Sequence, residues 1–303
     1  MKRRVIKQGN NTLTITLPHK WAEKYGIKGG DELEVEEKKN KLVVLTQCSR
    51  FLSPREIDLS HFDLLIPRVI HALYKKGYDH LIFRYSNQNI LPQIQNAMGN
   101  ETIGYEIVKQ GHNYCEVQNI SEVLNHEFDP TLRRIFLILE MLANEGFYAI
   151  KKNDITQLKN TLKLEETNNR LTTFCRRTLT KYESEEFSDA HLLYLIIEEL
   201  EKIADEYKYL YQFIIIKKGL ALSKETIELS IQVNSILKDF HILFYDFQAH
   251  KAAELAKKRK QIVQNCYHLF ETKNKDEIRV LHYLLNITQQ VFNLLGPLIG
   301  FRL

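Results

Sequence analysis

The sequence predicts a multidomain chain: a short β-rich front, a small α/β unit in the middle and an all-α bundle behind. Three observations predict it. Residues 1–130 hold five of the six prolines and eight of the twelve glycines, whereas from Thr131 to Leu295 there is no proline and only Gly146 and Gly219 interrupt. A run that long without helix breakers, rich in Leu, Ile, Lys and Glu, is helical. Apolar periodicity is two at the front and 3.6 at the back. Charge divides as well: residues 1–47 carry ten Lys and Arg against six Asp and Glu, an excess equal to the whole chain's net charge of +4.

At 303 residues, 44% of them apolar, the chain is long enough for two or three cores. No stretch of about 18 apolar residues exists to span a bilayer. Met1-Lys2-Arg3-Arg4 lacks the apolar run of a secretory signal. Cys48, Cys115, Cys175 and Cys266 lie far apart without a C-x-x-C pair, so reduced thiols and a cytoplasmic location are expected.

In the first 47 residues, Val5 alternates with Arg4 and Lys7, and Thr12-Leu13-Thr14-Ile15-Thr16-Leu17 alternates strictly. Gln8-Gly9-Asn10-Asn11 joins the two as a hairpin turn. Pro18 suits the first turn of a short helix, His19 to Tyr25, which Gly26 ends. Glu32 to Glu36 and Lys41 to Thr46 read as a third and fourth strand. Such a segment buries too little apolar surface to stand alone, so a second copy is expected to complete it.

Leu17-Pro18-x-x-Trp21-Ala22-x-x-Tyr25-Gly26-Ile27-x-x-Gly30-Asp31-Glu32-Leu33-x-Val35 resembles the AbrB/SpoVT/MazE swapped-hairpin family. The resemblance implies an interlocked homodimeric β-barrel that binds DNA, although some members act as antitoxins or interaction modules. The first twenty residues carry Lys2, Arg3, Arg4, Lys7 and Lys20 and no acid. Doubled by two-fold symmetry, these cations would neutralise phosphates, with Asn10, Asn11, Thr12, Thr14 and Thr16 adding hydrogen bonds. The competing reading is that they only solvate a small barrel. Trp21, the single tryptophan, suits a core or dimer interface better than base stacking.

Residues 48–128 read as a linker, Ser49 to Ser60, followed by a small α/β unit. That unit has a helix Leu64–Lys76 stopped by Gly77, a strand Tyr78–Tyr85, a helix Asn89–Met98 stopped by Gly99, and a hairpin of Ile103–Lys109 and Tyr114–Val117. It has no phosphate loop, and His71, His80 and His112 show no metal-ligand spacing. Tyr74-Lys75-Lys76-Gly77-Tyr78-Asp79 and Ile103-Gly104-Tyr105-Glu106-Ile107-Val108 resemble the middle of archaeal PhoU-like regulators, which place an AbrB-type domain first and PhoU helices last.

Residues 129–303 read as helices over 131–151, 154–182, 188–218, 223–248, 250–272 and 276–296, two sets of three. Leu193, Ile196, Ile197, Leu200, Ala204 and Tyr207 form a core stripe, as do Leu281, Leu284, Leu285, Thr288, Val291, Phe292 and Leu295. The PhoU resemblance implies paired Glu/Asp-x-x-x-Asp motifs holding divalent or iron-type ions. Glu201 and Asp205 keep one such motif, with Glu198 on the same helix face and Glu165 on the matching helix. Asn169 stands where the pattern wants an acid, and the second repeat's Lys257–Lys260 and Asn286–Gln289 carry none. A solvated acidic face is the alternative. The basic run 257–260 reads first as an exposed helix face, or else as a contact for DNA or an acidic partner.

No catalytic apparatus assembles from these motifs. A cytoplasmic, dimeric, DNA-binding regulator tied by resemblance to phosphate uptake is the leading expectation. A signalling adaptor whose barrel only dimerises, while the bundle docks on a phosphate transporter or kinase, is its rival. An antitoxin role comes third.

Overall fold

Strict alternation at the front becomes two short hairpins. The computed structural model describes residues 2–9, 12–38, 41–45, 54–121, 127–182, 189–218 and 220–303. Strands β1 (Ile6–Gln8) and β2 (Thr12–Thr14) pair antiparallel, as do β3 (Glu34–Lys38) and β4 (Lys41–Leu45). Between them, α1 (His19–Lys24) starts on the Pro18 carbonyl, which accepts from the amides of Trp21 and Ala22, both at 3.0 Å. Among the described residues the hairpins form two separate two-stranded sheets. None of the side chains described in this segment is buried. Val5, Ile6, Leu13, Ile15, Val35 and Leu42 are 53–70% exposed. An apolar set this open has no core of its own.

Met1–Leu52 is one compact unit and Ser53–Leu303 another, so the elements from Arg55 onward share a unit with the helices. The second unit begins with a strand inside the expected linker: β5 (Arg55–Asp58) lies parallel to β6 (His80–Arg84). Only Ile57 of β5 is apolar, so no local alternation announced it. Its partner lies beyond α2 (Ile66–Lys75), and pairing of that kind is non-local. Antiparallel β7 (Tyr105–Gln110) and β8 (Tyr114–Asn119) complete a sheet of order β5-β6-β8-β7. Gly77 ends α2 at φ +94°, a conformation that only glycine adopts freely. Gly99 does not end α3 (Ile90–Glu101), since one interior glycine costs only about 1 kcal/mol. Leu81, Phe83, Cys115 and Val117 bury against Ile66, Ile70, Tyr74 and Ile94 of the two helices.

The helical run forms α4 (Phe128–Lys152), α5 (Ile155–Tyr182), α6 (Ala190–Ile216), α7 (Lys224–Tyr245), α8 (Ala249–Thr272) and α9 (Lys275–Asn293). α4, α5 and α6 pack together, α7, α8 and α9 do the same, and the sets meet through α4–α7 and α6–α9. The expected break at Gly219 lies outside the described residues. The one near Lys273-Asn274 is an N-cap, where Asn274 Oδ1 accepts from the amides of Asp276 and Glu277, both at 3.0 Å. After α9 a further helix, α10 (Leu295–Arg302), runs where the sequence suggested an end. Pro297 falls in its first turn, where the missing N–H is harmless. In the α6 stripe, Leu193 is 4% exposed and the other five residues are fully buried. Among the described residues, no helix is long and apolar enough to cross a membrane.

Candidate functional site

The basic front is open to solvent. Lys2, Arg3, Arg4, Lys7, Thr12 and Lys20 are all exposed. None of the five cations forms an ion pair with a described residue. Asn10 and Asn11 lie outside the described residues. The hairpin register divides the expected set between two faces. Lys7 stands opposite Leu13, whereas Gln8 stands opposite Thr12 and Ile6 opposite Thr14. Cross-strand partners share a face, so Lys7 projects away from Thr12 and Thr14 and alongside the apolar Leu13. Trp21 is half-buried against Tyr25, with ring centroids 5.5 Å apart.

The α5–α6 seam is where the structure departs from the implied metal site. α5 buries an unusual row of polar side chains on its core face, among them Thr161, Glu165, Asn168, Thr172 and Arg176. Arg176, 1% exposed, donates from Nη1 to Glu198 and from Nη2 to Glu201. Thr172 Oγ1 donates to the same Glu201 at 3.3 Å. From the other helix, Lys208 Nζ lies 2.7 Å from Glu165 Oε1 and 2.5 Å from Asp205 Oδ1. Burial works against the Lys208 charge, but hydrogen bonds to Asp205 and Glu165 outweigh it and raise its pKa. Asn169 Nδ2 donates to Glu165 at 2.6 Å, so the amide that replaces the expected acid points a donor inward.

The four acids are therefore split into two pairs, each closed by a cation of the chain. Among the described residues, no three His, Cys, Asp or Glu side chains come together as metal ligands. The carboxylate oxygens a hard cation would take are already paired with Arg176 and Lys208, so the residues as they stand do not fit one. In the second repeat, Arg259 of α8 donates to an amide oxygen, Gln289 Oε1 of α9. Of the remaining basic run, Lys258 pairs with Asp239 at 2.5 Å while Lys257 and Lys260 are exposed. The isolated histidines are spent locally: His71 sits 2.9 Å from Glu101, His80 2.6 Å from Glu116 and His112 2.8 Å from Gln88.

Sequence reasoning missed the joint between sheet and bundle. Arg177 of α5 is fully buried. It donates to the carbonyls of Tyr74 at 2.7 Å and Tyr78 at 2.8 Å, and to Asp79 Oδ1 at 2.5 Å. Lys181 Nζ adds a second cation 2.7 Å from Asp79 Oδ2. Burial, opposed by the Arg177 charge, pushes the Tyr74 hydroxyl up to about 12. The signal was present, because all three acceptors fall inside the Tyr74–Asp79 stretch already singled out. The donor could not be found from sequence: it is 98 residues away from Asp79.

Comparison with known proteins places two likenesses on this geometry. The solved structure of the phosphate transport system regulatory protein PhoU from Streptococcus pneumoniae is similar at 16% identity and a TM-score of 0.48, over 58% of this chain and 93% of that one. No curated protein matches. Residues 6–47, the segment of the two hairpins and α1, match the family described as antidote–toxin recognition MazE, bacterial antitoxin, so the front of this chain carries a MazE/AbrB-type domain.

Proposed function

We propose that the chain is a homodimeric DNA-binding regulator. Its front segment dimerises and grips duplex DNA, while its helical part receives a signal or a protein partner. The observation that carries this reading is the first-domain surface. Five cations stand exposed without described ion-pair partners, on a segment with no acid in its first twenty residues and no buried side chain among those described. Pairing two copies covers the open apolar strands and brings both sets of cations to one assembly. Phosphate uptake as the regulated process rests on the sequence resemblance of the middle and helical segments to PhoU-like regulators.

Titrating labelled duplex DNA with the full chain at several salt concentrations tests the proposal. The logarithm of the affinity should fall linearly with the logarithm of salt, by about 0.9 per phosphate neutralised. Arg3→Ala with Arg4→Ala should weaken binding to all sequences and flatten that slope. Binding that ignores salt, or is untouched by the double substitution, would overturn it. The MazE description of the matched family favours a second reading, in which the segment binds a toxin protein. A full chain that shows no affinity for DNA but forms a complex with a small toxin would decide for that reading.

A further inference from the structure

We infer that the α5–α6 seam is neutralised from within: Arg176 and Lys208 supply the positive charge that its four carboxylates require, and the seam takes no metal ion. Glu165 is 4% exposed, and an uncompensated carboxylate at that depth would be costly. It is met by Lys208 and by the Asn169 amide, while Asp205 shares the same Lys208. Arg176 spans one turn of α6 and closes Glu198 and Glu201 together.

Chemistry makes this arrangement exclusive. A guanidinium presents several donors in a fixed planar fork and stays charged at any pH a protein tolerates. It is 1% exposed and sits between the oxygens a metal would need. A divalent ion would have to displace this buried charge from both carboxylates. The second repeat also carries an arginine on its middle helix, Arg259, reaching Gln289 rather than an acid. There too a cationic side chain bridges the middle and last helices, and no carboxylate pair faces it.

The full chain, stripped with a chelator, is incubated with Mn²⁺, desalted and assayed for metal content and melting temperature. The expected result is no seam-bound Mn²⁺ and the same melting temperature with Mn²⁺ as with EDTA. Stoichiometric Mn²⁺ that is lost in Glu201→Gln would overturn the inference. Arg176→Met should lower the melting temperature, and adding Glu198→Gln and Glu201→Gln should recover most of that loss. Failure to recover would show that Arg176 acts by shape rather than charge, which also overturns it. If Arg176→Met does not fold, Lys208→Met with and without Asp205→Asn makes the same comparison on the other pair.

Discussion

Arg177 and Asp79 meet at 2.5 Å, joining the C-terminal end of α5 to the loop that opens β6 across 98 residues of chain. The guanidinium is fully buried and also holds two backbone carbonyls, so one side chain fixes α2, the start of β6 and α5 together. The contact ties the sheet to the helices within the unit Ser53–Leu303.

Arg177→Met should destabilise the chain by about 3–5 kcal/mol, because it leaves Asp79 with Lys181 as its one cation and takes a donor from each of two carbonyls, which keep the Gly77 amide and the Tyr105 hydroxyl. Lys181 softens the loss, since its Nζ remains within 2.8 Å of both Asp79 oxygens. Urea unfolding at neutral pH reads the difference. A loss below about 1 kcal/mol would mean that the joint is held by apolar packing instead.

The same glycine-to-alanine change should have opposite signs at two helical sites. At Gly146 in α4 a Cβ would lie 2.1 Å from the Tyr211 ring, whose hydroxyl donates to the Leu142 carbonyl at 2.8 Å. Gly146→Ala should cost about 1–3 kcal/mol by overpacking. Nothing lies within 4 Å at Gly99 in α3, so Gly99→Ala should gain about 0.5–1 kcal/mol of helix propensity. Melting temperatures of the two variants, compared with the parent, check both signs.

Cys115, Cys175 and Cys266 are free, buried thiols. Burial pushes Cys115 up to about 11 and Cys266 up to about 12, with Cys175 raised further still. Mass-mapped alkylation at pH 8 should leave all three unmodified until the chain is unfolded. A raised folded pKa contributes stability that is intact below the ordinary thiol value of 9.0 and is lost as pH climbs through the folded value. Melting temperature should therefore fall between about pH 9 and pH 11, and less steeply in Cys115→Ala.

On the proposed reading, two copies pair through the open hairpins, and their association is concentration-dependent and apolar. Leu13, 69% exposed, and Leu42, 70% exposed, are the most open of the apolar strand residues. Leu13→Glu with Leu42→Glu should shift sedimentation toward the monomer and weaken DNA binding with it. A variant that stays dimeric would place the interface elsewhere, on the helical unit.

Local chemistry was enough to read much of this protein. Breaker spacing located α4 to α9 within a few residues, and alternation found the hairpins. The charge count assigned the surplus cations to the front. Each of these rests on neighbours in sequence, so each is legible without a fold. Edge strand β5 was not, because a parallel partner beyond an intervening helix leaves no local pattern in four residues with one apolar side chain. Nor was the fate of the acids: their i, i+4 spacing was read correctly, yet Arg176 and Lys208 arrive from residues 25 and 43 positions away. Which cation meets a buried carboxylate is decided by how helices pack, and only the tertiary structure contains that choice.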